Sequence, residues 1–357
     1  MSVMDSPRAA RRDFSVVAIV AVYNEADVIG QVVADLIAQG VAVYLLDHRS
    51  TDETVAAVEP YLGRGLLGIE RFPDERAGPG ADGERFAWEA ILRRKEALAG
   101  ELDADWFIHH DADEFRESPW PGLGLAEAIR RVDRAGYNAI DFELLNFWPT
   151  HDGFTPGSDV RAAFPLYEAG RSWDRVQIRC WKNPGAPVDL ASSGGHEARF
   201  PGRRVFPIRF ILRHYPIRGQ AHGERKVGAE RRARFVQSER DLGWHVQYDA
   251  IEAGHRFLRD PATLTAWDPD AVRLALTLRH RGVEELEGAL RELEGALDGL
   301  RGDLRERERE LAGLRDALAG QRRELARLEG DLRALHASRT WRWTAALRGA
   351  WRLLGGR

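Results

Sequence analysis

Two aspartates, Asp111 and Asp113, follow a short apolar segment at 106–109 that we predict to be a strand. Ligands of open α/β sheets bind beyond the carboxyl ends of the strands. Two carboxylates on a strand-exit turn can bind one Mg²⁺ or Mn²⁺ ion and leave coordination positions for diphosphate oxygens. Such an ion would offset the negative charge that develops on a departing nucleoside diphosphate. A solvated acidic turn is the alternative, because Asp-x-Asp also occurs often by chance.

Polar side chains also follow the first two predicted strands. The first strand, Val16–Val22, is β-branched and too short for a helix, and it leads into Tyr23 and Glu25. The second strand, at 41–46, leads into Asp47. Because the carboxyl ends of parallel strands share one edge of a sheet, three consecutive strands place mainly acidic groups on that edge.

The elements that must position these residues alternate between apolar runs and amphipathic stretches from 14 to 150, the pattern of strand–helix units around a mostly parallel sheet. In this half we predict helices at 27–39, 52–61, 84–99 and 125–135, and further strands at 67–71 and 139–147. The less regular half, 151–270, contains a predicted strand at 205–214 and a basic helix at 219–241. Residues 1–13 are polar and predicted to be disordered, so the α/β domain spans 14–270.

In order and spacing, the three strand-end motifs resemble glycosyltransferase family 2 over roughly residues 14–150. Its members have a Tyr-Asn-Glu-like triplet after the first strand, then an Asp-containing strand end with a Ser-x-Asp-x-Thr turn, and Asp-x-Asp after the fourth strand. Where many members have two acids in succession, this chain has Asp47-His48. The resemblance implies the glycosyltransferase-A fold, a Rossmann-like α/β domain with a mostly parallel central sheet flanked by helices.

The resemblance also implies roles for individual residues. Tyr23, Glu25 and Asp47 would line the nucleotide pocket, with Asp47 near the base or the ribose. Asp111 and Asp113 would form the metal motif, with Asp113 the more direct ligand of Mn²⁺ or Mg²⁺ and Asp111 also in the nucleotide-sugar site.

A Gly-Gly loop in the second half ends in His196 and Glu197. Many inverting relatives place an acceptor-activating carboxylate after such a loop, so the resemblance makes Glu197 the candidate general base and Asp189 the reserve. Such a base must reach the acceptor hydroxyl and be ionised near neutral pH. A surface glutamate beside a turn is the alternative for Glu197, and His196 is the alternative functional residue.

The segment from 214 to 226 resembles the His-Tyr-x-x-Arg and downstream Lys pattern of a bacterial subset of these enzymes. By that resemblance, His214 would be the third protein ligand of the metal, and Arg218 and Lys226 would neutralise the diphosphate. A planar guanidinium fork and a lysine point charge both suit phosphate oxygens. A hydrogen-bonded structural histidine is the alternative for His214.

A heptad repeat occupies residues 283–335. At strict 3-4 spacing, the sequence has Val283, thirteen leucines and two polar exceptions, Arg307 and Gln321. This pattern predicts a long coiled-coil helix that self-associates, most simply as a parallel dimer. A solvated single helix is the alternative.

The tail at 337–357 contains three tryptophans, five arginines and no acid. A basic amphipathic helix with tryptophans can lie in a membrane interface. The alternative is a segment that folds back on the coiled coil or binds a partner.

The composition narrows the functional classes. With 52 Lys and Arg against 56 Asp and Glu, the chain lacks the basic excess that bulk nucleic-acid binding requires. The single cysteine, Cys180, excludes an intrachain disulfide. The absence of a signal-peptide core and of a run of about 18 apolar residues predicts a cytoplasmic protein, with the tail as a contact to the inner face of the plasma membrane.

Together these features predict a metal-assisted glycosyltransferase. It would move a sugar from a nucleoside-diphosphate sugar to a glycan, lipid-linked or protein acceptor, in bacterial surface polysaccharide or glycoconjugate synthesis. The alternatives are a coiled-coil scaffold with an inactive glycosyltransferase-like domain, and a nucleotidyltransferase. The second is disfavoured because no Gly-rich, Lys-containing loop follows the first strand.

Overall fold

Strand β1, Val16–Val22, lies in a six-stranded sheet and is buried along almost its whole length. Parallel to it run β2 (Ala42–Asp47), β3 (Leu66–Arg71) and β4 (Trp106–Asp111), and the sheet begins in the order β3-β2-β1-β4. A strand covered on both faces needs apolar side chains at successive positions, which β1 supplies. The computed structural model describes residues 13–73, 87–170, 175–231, 234, 239, 251, 254–279 and 281–353.

Helices α1 (Ile29–Ala38), α2 (Thr54–Val58), α3 (Trp88–Glu101), α4 (Leu125–Arg134) and α5 (Val160–Ala163) follow strands of this sheet or of the second sheet. Asp52 precedes α2 and accepts a hydrogen bond from the Thr54 N–H at 3.0 Å, as a capping side chain does. Gly40 has a φ of 80° and ends α1.

The second sheet has the order β11-β8-β7-β10-β5. Its strands are β5 (Glu114–Glu117), β7 (Phe142–Phe147), β8 (Leu166–Ala169), β10 (Phe210–His214) and β11 (Thr265–Ala266), while β6 (Ala139–Ile140) and β9 (Cys180–Lys182) complete the first sheet. The chain passes from β4 of the first sheet to β5 of the second through Asp111, Ala112 and Asp113. The Asp-x-Asp motif therefore lies where the two sheets meet.

The predicted strand at 139–147 is wrong as a single element, because the chain changes sheet at Asp141. The Asp141 side chain is fully buried, and its Oδ1 accepts from the N–H groups of Phe142 (3.0 Å) and Gln177 (2.7 Å). A carboxylate that satisfies backbone donors in this way allows a corner inside the core.

The predicted basic helix at 219–241 begins as α6 (Gln220–Gly223) and continues as a π-helical segment, Glu224–Arg231. Single turns of π-helix are rare and often occur at functional sites. Most of the rest of that prediction lies outside the described residues.

Two apolar clusters pack on opposite faces of the first sheet. Val20 and Leu45 belong to the cluster that contains α1 and α4, whereas Ile19, Leu46 and residues of α3 form the other. Alternation of side chains along a strand produces this division. A mostly parallel central sheet flanked by helices is confirmed, although β9 and β6 add antiparallel pairs at one side.

The chain divides into two units, Met1–Gly282 and Val283–Arg357. The first unit ends after α7 (Pro269–Leu278). The long C-terminal helix is confirmed as α8 (Arg281–Ala337), and α9 (Arg339–Trp343) and α10 (Ala345–Leu353) follow it. None of the described helices is long and apolar enough to cross a membrane.

Candidate active site at the strand ends

The exits of β1 and β2 are tied together by two residues in an unusual backbone conformation. Asn24 and Arg49 both have a positive φ, 52° and 63°. The Asn24 N–H donates to Ser50 Oγ at 3.0 Å, and Asn24 Oδ1 accepts from the Thr51 N–H at 2.8 Å. Left-handed non-glycine residues are strained and persist where their surroundings fix them, which is common at functional sites.

Tyr23, Asp47 and His48 lie together at these exits. Asp47 is buried opposite Val22, and its Oδ1 accepts from the Ser50 N–H at 3.0 Å. The guanidinium of Arg234 covers the Tyr23 ring at 3.8 Å and donates to His48 Nδ1 at 3.2 Å. Burial, then the charges of Arg234 and Arg49, lower the pKa of His48 to about 4, so its ring is neutral at pH 7.

A buried group of four charged side chains joins β1 to the Asp-x-Asp motif. Lys226 Nζ lies 2.6 Å from Glu25 Oε1 and 2.8 Å from Asp113 Oδ2. The Arg218 guanidinium binds the other oxygen of Glu25 and lies 2.7 Å from Asp27 Oδ2. The structure thus brings together four residues that the resemblance gave different roles. Glu25 was expected in the nucleotide pocket, Asp113 in the metal motif, and Arg218 and Lys226 at the diphosphate. Burial acts to raise the pKa of Asp113, but the neighbouring positive charges, that of Lys226 foremost, hold the pKa well below its usual range.

His214 faces the second oxygen of Asp113. Its Nε2 is 3.6 Å from Asp113 Oδ1, and its Nδ1 is 2.7 Å from Asn146 Oδ1. Because the amide oxygen only accepts, Nδ1 carries the ring proton in the neutral histidine and Nε2 presents a lone pair. A lone pair and a carboxylate oxygen that face one another across 3.6 Å suit a shared cation, and the bond to Asn146 is the orienting contact that metal-ligating histidines usually have. The residues present therefore fit a divalent ion at Asp113 and His214.

Asp111 turns away from this pair. Its Oδ2 is 3.0 Å from Arg179 Nη1, and the same nitrogen lies 2.9 Å from Glu114 Oε1. Glu114 is in turn 2.7 Å from the buried Arg116. Burial acts to raise the pKa of Asp111, but the positive charge of Arg179, followed by that of Lys95, lowers it.

Among the side chains that the structure describes, the ligand atoms of Glu25, Asp27 and His222 lie within 4.8 Å of one another, which would suit a metal ion. The Arg218 guanidinium contacts all three, with Nη2 2.8 Å from His222 Nε2. Since a cation already occupies that position, we assign this trio to Arg218. The ligand atoms of the predicted trio, Asp111, Asp113 and His214, do not all lie within that distance of one another.

The two candidate bases are engaged in surface contacts. Glu197 lies 3.0 Å from Arg203 and 3.3 Å from Arg199. Burial acts to raise its pKa, but the hydrogen bonds from these arginines lower it. Asp189 accepts from the Ser192 N–H at 3.0 Å and is about 40% exposed. Within the described part of the chain, neither carboxylate shares an ion pair or hydrogen bond with the Asp113 group.

His196 points toward the Asp111 side of the site. Its Nδ1 accepts from Gln177 Nε2 at 3.2 Å. Burial and the charge of Arg179 lower its pKa to about 4, so the ring is neutral at pH 7.

Sequence reasoning missed Asp27, Lys95, Arg179 and Arg234. Asp27 lies two residues after Glu25, and Lys95 is one of only three lysines in the chain, so both carried a weak signal. Arg179 and Arg234 had none, because arginines are abundant and only the chain's path brings these two to the strand ends.

A family model covers one segment that contributes residues to this site. The model of Glycosyl transferase family 2 matches residues 17–81, which include Tyr23, Glu25 and Asp47. No curated protein matches the chain.

Two solved structures are similar to parts of the chain. A mannosyltransferase, PcManGT from Pyrobaculum calidifontis in complex with GDP-Man and Mn²⁺, has 23% identity and a TM-score of 0.26, over 36% of this chain and 34% of that one. S. aureus TarS 1–349 in complex with UDP has 13% identity and a TM-score of 0.32, over 57% of this chain and 61% of that one. The chain therefore spans about a third of the length of the mannosyltransferase and about three fifths of the length of TarS 1–349. The segment that contains β1 to β3 is thus similar to glycosyl transferase family 2.

Proposed function

We propose that this protein is a metal-assisted glycosyltransferase of the glycosyltransferase-A type, which moves a sugar from a nucleoside-diphosphate sugar to a hydroxyl acceptor. The observation that carries the proposal is the buried group at Glu25, Asp113, Arg218 and Lys226. This group combines two cationic side chains with a carboxylate that suits a metal ion, and it lies at the strand ends. The first strands of the domain match the family model.

The nucleotide would bind where Tyr23 and Asp47 meet Arg234. Tyr23 presents a ring on which a base can stack, and Asp47 presents a buried carboxylate to ribose or base donors. Arg234 covers that ring, so it would have to move or to stack on the base itself.

The diphosphate would lie over Arg218 and Lys226. A divalent ion held by Asp113 and His214, with Asp111 nearby, would supply positive charge to the leaving diphosphate. Lys226 already lies between two carboxylates, so it is oriented before a phosphate oxygen arrives. Charges fixed in advance stabilise a developing negative charge without reorganisation.

The acceptor hydroxyl would lose its proton to Glu197, with Asp189 as the second candidate. Support for Glu197 comes from its place after the Gly194–Gly195 loop. Glu197→Gln with Asp189→Asn as its matched comparison tests the assignment, because only loss of the true base lowers kcat without weakening donor binding.

The acceptor would be a glycan, a lipid-linked intermediate or a protein, in bacterial surface polysaccharide or glycoconjugate synthesis. The leucine face of α8 would join two copies of the chain, and the tail would contact the inner face of a membrane. Both roles bring catalytic domains to the place where such acceptors are assembled.

The test is nucleotide release from a panel of UDP-, GDP- and dTDP-sugars with Mn²⁺ or Mg²⁺, together with calorimetry of the nucleotides alone. A glycosyltransferase releases nucleotide from one sugar class and needs the metal. Binding without turnover, with every donor and acceptor fraction supplied, would instead support a scaffold. Release of pyrophosphate from a nucleoside triphosphate would support a nucleotidyltransferase.

A further inference from the structure

A lysine is buried completely beneath the Asp-x-Asp motif. Lys95 on α3 has no exposed surface, and its Nζ donates to the His110 carbonyl at 2.8 Å and to His109 Nδ1 at 2.9 Å. Its Nζ lies 4.0 Å from Asp111 Oδ1. Burying an amine in this way costs free energy unless its hydrogen bonds compensate, so its placement fixes the groups that it contacts.

The contact with Lys95 determines the tautomer of His109. Because Nδ1 accepts from Lys95, the ring proton is on Nε2. Within the described part of the chain, His109 Nε2 is buried without a hydrogen-bond partner. Leaving a buried donor unpaired destabilises the folded state. Asp111 Oδ1, which can accept a hydrogen bond, lies 4.0 Å from His109 Nε2.

His109 also supports the loop that carries the candidate acceptor residues. Gly195 has a φ of 89°, and a Cβ atom there would lie 3.0 Å from His109 Nε2. The indole of Trp88 lies 5.8 Å from the His109 ring and donates to the Gly194 carbonyl at 2.9 Å. The loop backbone therefore rests directly on the His109 ring, two residues before Glu197.

We propose that His109, anchored by Lys95, is a positioning residue that couples Asp111 to the loop at 194–197, and that its free Nε2–H donates to Asp111 Oδ1 when the site is loaded. The proposal rests on the proposed function, since it assumes a metal and nucleotide that draw Asp111 into place. A carboxylate near a metal is usually oriented by such a donor. His109 would then couple ligand binding at the donor site to the loop at 194–197.

The test compares His109→Phe, which keeps an aromatic ring and loses both ring nitrogens, with His109→Gln, which restores a donor. Trp181→Phe is the matched control. Within the described residues, it also removes a buried N–H without a hydrogen-bond partner, on the neighbouring strand β9. Calorimetry measures UDP and GDP binding with Mn²⁺, and thermal unfolding of the metal-free proteins measures stability.

We expect His109→Phe to weaken metal-dependent nucleotide binding by about 10-fold or more, which is the usual effect of losing such an orienting contact. The substitution should also lower the melting temperature, because buried Lys95 loses its acceptor at His109 Nδ1, so binding is measured well below that temperature. His109→Gln should retain most of the affinity, and Trp181→Phe all of it. In the parent protein labelled with ¹⁵N-histidine, the His109 signals should show the Nε2–H tautomer and shift on addition of Mg²⁺ and nucleotide.

Several results would overturn the proposal. One is parent-like affinity in His109→Phe. Another is a loss of affinity in Trp181→Phe equal to that in His109→Phe. The third is a His109 ring with its proton on Nδ1. If the parent binds nucleotide with Mn²⁺ and any of these appears, only the positioning role fails. If the parent shows no metal-dependent nucleotide binding, the proposed function fails and the positioning role fails with it.

Discussion

Lys226 Nζ lies 2.8 Å from Asp113 Oδ2, although the two residues are 113 positions apart in the chain. This contact joins the π-helical segment of the second half to the Asp-x-Asp motif of the first. Since Lys226 also binds Glu25, the lysine holds two carboxylates that would otherwise repel one another. The site therefore has its charges balanced before any ligand arrives.

Asp113→Asn should remove turnover and metal-dependent nucleotide binding. The amide keeps the shape but loses the charge that would hold a metal with His214, and loss of one fixed charge at a reacting centre commonly costs about 100-fold or more in kcat. Nucleotide release with Mn²⁺ measures the effect. Glu127→Gln, at an exposed ion pair on α4, is the control and should match the parent. Parent-like turnover in Asp113→Asn would refute the metal assignment.

Arg218→Ala should destabilise the domain as well as reduce turnover. The substitution leaves Glu25 and Asp27 without their shared cation, and breaking a buried ion pair costs about 3–5 kcal/mol. For a domain of this size, that loss corresponds to a fall in melting temperature of roughly 10 °C. Differential scanning fluorimetry measures it. Arg225→Ala removes a half-exposed arginine that pairs with Glu230, and it should change the melting temperature little. An unchanged melting temperature in Arg218→Ala would show that the cluster is not a stabilising pair.

Stability should fall between about pH 6.5 and pH 4 in part because of His48. Its pKa is lowered from 6.5 to about 4 in the folded protein, so the unfolded chain takes up the proton first as the pH falls. The contribution is complete above pH 6.5, is about 3 kcal/mol at most, and is lost as the pH approaches 4. Urea unfolding across this range should show a shallower pH dependence for His48→Gln than for the parent. Identical slopes would mean that His48 is not held neutral.

The leucine face of α8 should make the full chain a dimer. Its leucines are exposed in a single helix, from 48% at Leu297 to 73% at Leu286. A face of this length and spacing needs a partner helix. Sedimentation velocity should show a dimer, and Leu304→Asp with Leu311→Asp should give a monomer. Gly302→Ala, at an outward position, is the control and should stabilise the helix by about 1 kcal/mol. A parent chain that sediments as a monomer at micromolar concentration would exclude the coiled coil.

The tail should bind anionic vesicles. On α10, Leu347 and Trp351 are 71% and 63% exposed and lie four residues apart on one face, while Arg348 stacks on Trp341 at 3.6 Å. Each cation near an anionic surface contributes about 1 kcal/mol, so changing Arg339, Arg342 and Arg348 to Glu should abolish flotation with phosphatidylserine vesicles. Arg291, Arg309 and Arg323, at outward positions of the heptads, serve as the charge-matched control triple. Equal flotation with neutral and anionic vesicles, or none with either, would leave partner docking as the role of the tail.

The sequence alone determined the features that depend on local patterns. A β-branched run as short as Val16–Val22 can only be a buried strand, and the polar residues after it must then lie at the edge of the sheet. The leucine period of α8 is likewise a local property, since a repeat of 3.5 residues places one face of any helix in register. Both predictions needed no knowledge of where distant parts of the chain go.

Only the tertiary structure decided which charges meet. The resemblance assigned Glu25, Asp113, Arg218 and Lys226 to the donor site. It did not show that Lys226 lies between the two carboxylates. Nor did it show that the Arg218 guanidinium contacts both Asp27 and His222. It also read 139–147 as one strand, because the pattern along the chain does not reveal that a buried Asp141 binds two backbone N–H groups and turns the chain into the second sheet. A buried charge is stable only beside its partner, and the partner's position depends on the path of the whole chain.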